Sequence, residues 1–98
     1  MPIVRIEHAV PSFETWKRAF DSDPADRTGS GVRRYQILRL RDNPNHVMID
    51  LEFDTLGEAE GFLRTMQQVW SGPGRAVMQH PSGRIADFVE VKELRSGS

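Results

Sequence analysis

Ile3-Val4-Arg5-Ile6-Glu7-His8-Ala9-Val10, followed at once by Pro11-Ser12-Phe13-Glu14-Thr15-Trp16-Lys17, contains the change of period that decides the fold. Over residues 3–10 the alternation separates Val4, Ile6, His8 and Val10 from Ile3, Arg5, Glu7 and Ala9, and a strand directs two such sets to opposite faces. Ser12 is a suitable N-cap, Glu14 falls in the first turn, and Phe13, Trp16 and Phe20 recur on one helical face. A strand therefore gives way to a helix that runs to about Phe20.

Outward from this unit, Asp21 to Gly31 holds Asp23-Pro24 and Gly29-Ser30-Gly31, a composition that favours an irregular loop. Its length is unusual for a connector and suggests a lid or rim. Val32 to Arg41 and Val47 to Phe53 both alternate, with Asp42-Asn43-Pro44-Asn45 as the hairpin turn between them. Burying Val32, Leu38 and Leu40 turns Arg34 and Gln36 toward the helices and leaves Arg33, Tyr35 and Arg39 on the other face. A guanidinium snorkelling at the sheet edge, or the opposite register, is the alternative.

Thr55-Leu56-Gly57-Glu58 has capping-box spacing, and Ala59, Phe62, Leu63, Met66, Val69 and Trp70 then mark a helical stripe. Ser71-Gly72-Pro73-Gly74 ends it. Arg75 to His80 is expected to form one short extra turn, and Val89 and Val91 identify a last strand over Ile85 to Leu94. The expected fold class is α+β, a β-α-β-β-α-β domain over residues 1–94 with an antiparallel sheet, followed by a flexible tail at 95–98.

A chain of 98 residues has room for one core, and without Cys to form disulfides a domain this small often gains burial by oligomerising. A formal net charge of -1 offers no basic field for nucleic acid or an anionic membrane, so neither is an expected partner. The start of the sequence lacks a secretory pattern and no span has transmembrane length, so the expected location is cytoplasmic.

Several families share this ferredoxin-like order. RNA recognition needs exposed aromatics on the central strands, where Met48, Asp50 and Glu52 stand instead, and a copper chaperone needs paired Cys. Residues 2–94, and above all Val4 to Val10 followed by Phe13-Glu14-Thr15-Trp16-Lys17, resemble the dimeric α/β-barrel superfamily that includes antibiotic biosynthesis monooxygenase-like and polyketide cyclase-like proteins. The resemblance implies that two sheets pack face to face across a twofold axis, with a pocket in each subunit between its own sheet and helices. It makes a homodimer the expected partner, through an open face holding Arg5, Glu7, Arg33, Tyr35, Arg39, Met48, Asp50 and Glu52, with Tyr35, Ile37 and Met48 as apolar contacts.

For the pocket, His8 is the candidate proton acceptor, Arg34 the candidate oxyanion stabiliser, and Trp16, Gln36, Met66 and Trp70 the candidate ligand contacts. Each has a plainer reading. A lone His beside Val4 and Ile6 is commonly a hydrogen-bonded core residue, and Trp16 at helical spacing with Phe13 and Phe20 is commonly core.

The haem-degrading branch of the superfamily uses a first-strand Asn, a Trp and a His ligand. Here Glu7 and His8 stand where that Asn is expected and Phe62 where that Trp is, so no cofactor is expected. His8, His46 and His80 follow no metal-ligand spacing. The resemblance thus implies a small aromatic or polyketide-like ligand and, if the protein is an enzyme, cofactor-independent oxygenation or cyclisation. A non-catalytic sensing or interaction domain, its interior filled by Trp16, Phe20, Phe62 and Met66, is the second reading.

Overall fold

The computed structural model describes residues 1–23, 26–72 and 79–94, with the backbone alone at 79 and 80. Its elements are β1 (Pro2–Ala9), α1 (Phe13–Asp21), β2 (Arg34–Leu40), β3 (Asn43–Glu52), α2 (Leu56–Trp70) and β4 (Gln79–Asp87). The four strands form one sheet in the order β2-β3-β1-β4, and every neighbouring pair is antiparallel. This is the expected β-α-β-β-α-β plan.

Local chemistry explains both helix starts. The Ser12 hydroxyl accepts from the Thr15 N–H at 3.3 Å, and the Thr55 hydroxyl accepts from the Glu58 N–H at 3.2 Å while donating to the Glu58 carboxylate at 3.1 Å. Each satisfies a backbone donor that the first turn leaves unpaired. Along α1 the Lys17 ammonium bonds Asp21 one turn on, which keeps this short helix's polar face in water while Trp16 is buried. On α2 the buried positions are Ala59, Phe62 and Met66, three or four residues apart.

The core lies between the helices and one sheet face: Val4, Ile6 and Val10 from β1 and its end, Val47, Ile49 and Leu51 from β3, with Phe53, Trp16, Phe62 and Met66. The β1 alternation is as the sequence predicts. Partners across β1 and β3, such as Ile6 with Ile49 and His8 with Val47, share that buried face. The connecting loop turns through Gly31 at φ +96°, a left-handed conformation that a Cβ would strain.

Three expectations are corrected. First, β2 takes the opposite register: Tyr35 pairs with Leu51 and Ile37 with Ile49, so they share the helix face, while Arg34 and Gln36 pair with Glu52 and Asp50 on the open face. The aromatics of α1 decide this. Phe20 meets the Tyr35 ring edge-on at 5.2 Å and Phe13 carries the Arg39 guanidinium at 4.5 Å, which outweighs burial of Leu38 and Leu40. The apolar contribution to the open face comes from Leu38 and Met48, not from Tyr35 and Ile37, and Arg33 bonds Asp54 instead.

Second, β3 begins at Asn43 and not Val47. Leu40 pairs with Asn43 across a shorter turn, the register then shifts, and His46 becomes a strand residue opposite Ala9. Third, β4 covers Gln79–Asp87 and not Ile85–Leu94. Gly83 lies inside it because a Cβ there would stand 2.5 Å from Leu63 Cδ1 and 3.1 Å from Trp70 Cη2, so α2 packs closely only on a glycine. Val89 and Val91, chosen on propensity, continue beyond the sheet. The expected helix stop at Pro73-Gly74, most of the extra turn at 75–80 and the tail at 95–98 lie outside the described residues.

Candidate functional site

His8 reaches the interior because β1 alternates, and Trp16 reaches the same place because it stands one turn into α1. Their ring centroids are 5.5 Å apart at 56°. Trp16 is flanked by Phe13 at 5.8 Å and Phe20 at 5.3 Å, and Phe20 by Tyr35, so an aromatic row runs along the helix side of the sheet. His8 is 2% exposed and Trp16 is fully buried.

The polar atoms of this pair are short of partners. His8 Nδ1 lies 3.4 Å from the carbonyl oxygen of Ala9, a long contact, while His8 Nε2 and Trp16 Nε1 are buried with no hydrogen-bond partner among the described residues. Leaving such a group unpaired costs about 1–3 kcal/mol. Burial pushes the His8 imidazole below its ordinary 6.5, the Ala9 carbonyl opposes that in part, and the charge of His46 adds to it. The ring is therefore neutral at pH 7. The tautomer with hydrogen on Nδ1 points it at Ala9 and leaves a lone pair on Nε2, while the indole N–H of the neighbouring Trp16 can only donate.

The other sequence-predicted residues divide. Met66 belongs to the same core cluster as Trp16. Trp70 packs at its margin over Gly83, its own indole N–H buried and without a partner among the described residues. Arg34 and Gln36 are not brought to His8: they occupy the open face, where Arg34 is 73% exposed and paired with Glu52, and Gln36 donates to Asp50 Oδ2 at 2.9 Å.

That open face is a ladder of charge pairs across strands. Arg5 holds Asp50 with two bonds, Nε to Oδ1 at 2.7 Å and a terminal nitrogen to Oδ2 at 2.8 Å. Asp50 is buried, and the Arg5 guanidinium holds its carboxyl below the usual range despite the opposing effect of burial. Glu7 and His46 meet at 2.5 Å one step along. Three bonds converging on Asp50 exceed what alternation alone signals. The visible trace is that Arg5, Gln36 and Asp50 occupy one phase of three adjacent strands.

A cleft of about 390 Å³ at the long loop, lined by Asp23, Arg27, Thr28, Arg34 and Tyr35 among others, was not foreseen beyond the loop's length. Arg27 lies over the Phe20 ring at 3.9 Å and the Tyr35 ring at 5.1 Å, and donates to the Phe20 carbonyl at 2.7 Å. The arginines of the cleft each have a carboxylate beside them, Asp23 for Arg27, Asp54 for Arg33 and Glu52 for Arg34, so it offers no uncompensated positive charge. Among the described residues no three His, Asp or Glu side chains gather in a way that could hold a metal ion, and no helix is long and apolar enough to cross a membrane.

The architecture is that of antibiotic biosynthesis monooxygenase-like proteins. SnoaB from Streptomyces nogalater, a cofactor-independent oxygenase solved as a mutant, superposes with a TM-score of 0.69 at 13% identity over 92% of this chain and 94% of its own. An antibiotic biosynthesis monooxygenase-like protein from Nitrosomonas europaea gives 0.68 at 17% identity, over 90% and 89%. Protein SO0527 from Shewanella oneidensis gives 0.67 at 16% identity, over 87% of each chain. No family model matches the sequence, and no curated protein matches it.

Proposed function

We propose that the protein binds a small, flat, hydroxylated aromatic or polyketide-like ketone against Trp16 and acts on it as a cofactor-independent oxygenase or cyclase with His8 as the base. The supporting observation is the pair of unpartnered buried ring nitrogens, a neutral His8 Nε2 and a Trp16 N–H. One can accept a proton and the other can hold a carbonyl oxygen. In the oxygenase form, a methylene between aryl rings gives a proton to Nε2 and the carbanion adds to dioxygen as co-substrate. The peroxide takes the proton back and loses water to leave a carbonyl. One oxygen atom of dioxygen stays in the new carbonyl and the other leaves as water, the methylene supplying the electrons. SnoaB's cofactor-independent oxygenase chemistry on the same fold supports this reading.

Arg34 faces away from His8, so in this proposal it takes no part in the proton step; with Gln36 it belongs to the face through which two copies pair. The cross-strand ladder of Arg5–Asp50 and Arg34–Glu52, with Leu38 and Met48, supplies that face with neutralised charge and apolar contact. A reducing, cytoplasmic setting fits the absence of Cys. A non-catalytic sensing or interaction role is the second reading, its interaction form favoured by the closure of the interior over His8 and Trp16.

Oxygen uptake with a polycyclic hydroxy-ketone, together with quenching of Trp fluorescence, tests the proposal. The expected result is binding by the wild type, loss of uptake in His8→Ala and weakened quenching in Trp16→Phe, both variants folded. Binding without uptake in the wild type selects the sensing role. Uptake unchanged in folded His8→Ala contradicts the proposal.

A further inference from the structure

The register of β2 that carries Arg34 away from His8 brings another guanidinium to the same side. Arg39 pairs with Val47 and Val47 with His8, so the three side chains stand in a row across β2, β3 and β1 on the face the helices cover. Two strand spacings, about 10 Å, separate the backbones that carry Arg39 and His8. Among the described residues the sheet has two register shifts, and both fall at this end. One lies between Glu7 and Ala9 where β1 meets β4, the other just after Arg39 where β2 meets β3. Irregularities of this kind re-aim side chains and gather beside functional sites.

Arg39 is held differently from the cations of the loop cleft. Arg27, Arg33 and Arg34 each have a carboxylate beside them, whereas Arg39 makes no ion pair among the described residues. Its guanidinium lies 4.5 Å from the centre of the Phe13 ring, Phe13 is 5.8 Å from Trp16, and Trp16 is 5.5 Å from His8. A guanidinium resting its face on a ring keeps the N–H groups in its own plane for another acceptor. The ring also restricts the long side chain, so less freedom is lost when an acceptor arrives. Arg39 is open to solvent, while His8 and Trp16 are buried.

A site with a neutral base and an indole N–H at one end and an unpaired cation at the other selects by charge as well as by shape. We infer that Arg39 is a specificity-determining residue that binds an acid group of the ligand, a carboxylate or a phenolate, carried about 10 Å from the carbon that meets His8. This role rests on the site at His8 and Trp16 proposed above, and it adds the ligand's second polar group and the residue that selects it. A carboxylate takes two parallel N–H bonds from the guanidinium fork, whereas a neutral ligand of the same outline gains only the aromatic contact.

Binding of two probes of one outline, anthracene-2-carboxylate and anthracene-2-carboxamide, is measured by equilibrium dialysis with the full chain at pH 7. Wild type, Arg39→Gln and Arg39→Lys are compared. Because Arg39 is exposed, both variants keep the wild-type circular dichroism.

The expected result is a wild-type preference for the carboxylate of about tenfold, a charge-assisted contact discounted for its exposure. Arg39→Gln erases that preference, Arg39→Lys keeps part of it because the charge remains without the fork, and added salt narrows it in the wild type. Equal binding of the two probes by the wild type overturns the role of Arg39 and leaves the site at His8 and Trp16 standing. A preference that survives in Arg39→Gln does the same, since another cation then supplies it. Binding of neither probe by the wild type overturns both.

Discussion

Replacing His8 by Leu should make the protein more stable and inactive. His8 is buried with Nε2 unpaired, and its other nitrogen makes only the 3.4 Å contact with Ala9. Leu is close to His in volume, so the substitution removes an unsatisfied atom without opening a large cavity. Relief of that penalty is about 1–3 kcal/mol, reduced by roughly 0.5 for the lost contact, for a net gain of about 0.5–2.5 kcal/mol. Each kcal/mol raises Tm by roughly 4–8 °C in a domain of this size.

The pH dependence supplies an internal control. The folded pKa of His8 lies below its unfolded 6.5, so between these values the unfolded chain binds the proton and the folded one does not. Wild-type stability therefore falls as pH drops below 6.5, by at most about 1.4 kcal/mol per unit from this group. The variant lacks the loss, and its advantage widens between pH 6.5 and 5.5. Asp50 does not interfere, because its carboxyl is held below 3.8. Urea denaturation at fixed protein concentration measures both effects. A variant less stable than wild type at pH 7, with a gap that does not grow on acidification, refutes the reasoning.

Asp50→Asn should destabilise by about 1–3 kcal/mol in urea, because Arg5 and Gln36 lose the charged acceptor for three bonds. The stability that Asp50 contributes is present above pH 4 and lost as pH falls through its lowered folded pKa, so the variant should show a flatter acid limb. Gly31→Ala should cost about 1–2 kcal/mol in the same assay, since φ is +96° and the new Cβ would stand 2.5 Å from Glu58 Oε2. Gly83→Val should cost about 1–3 kcal/mol and shift the Trp fluorescence, because its side chain must displace Leu63 and the Trp70 ring.

The sequence was most legible where local chemistry and periodicity agreed. Ser12 and Thr55 mark both helix starts, and the alternation around His8 places it inward. It was less legible where amphipathic side chains allow two registers. Arg39 lays its guanidinium over Phe13 and Tyr35 meets Phe20 edge-on, so the phase holding fewer aliphatic residues faces the helices. The last strand was misread because Val89 and Val91 have strand propensity, while Gly83 has the space that α2 requires, and pairing decides over propensity. The missing hydrogen bonds of His8 and Trp16 depend on what surrounds each nitrogen in three dimensions, which no spacing in the sequence encodes.

The central claim is a neutral His8 with a free Nε2. A long-range proton–nitrogen correlation spectrum of the imidazole at pH 7 tests it most directly. Hydrogen on Nδ1 and an unprotonated Nε2 are expected; a ring protonated on Nε2, alone or as imidazolium, would rule out His8 as the base.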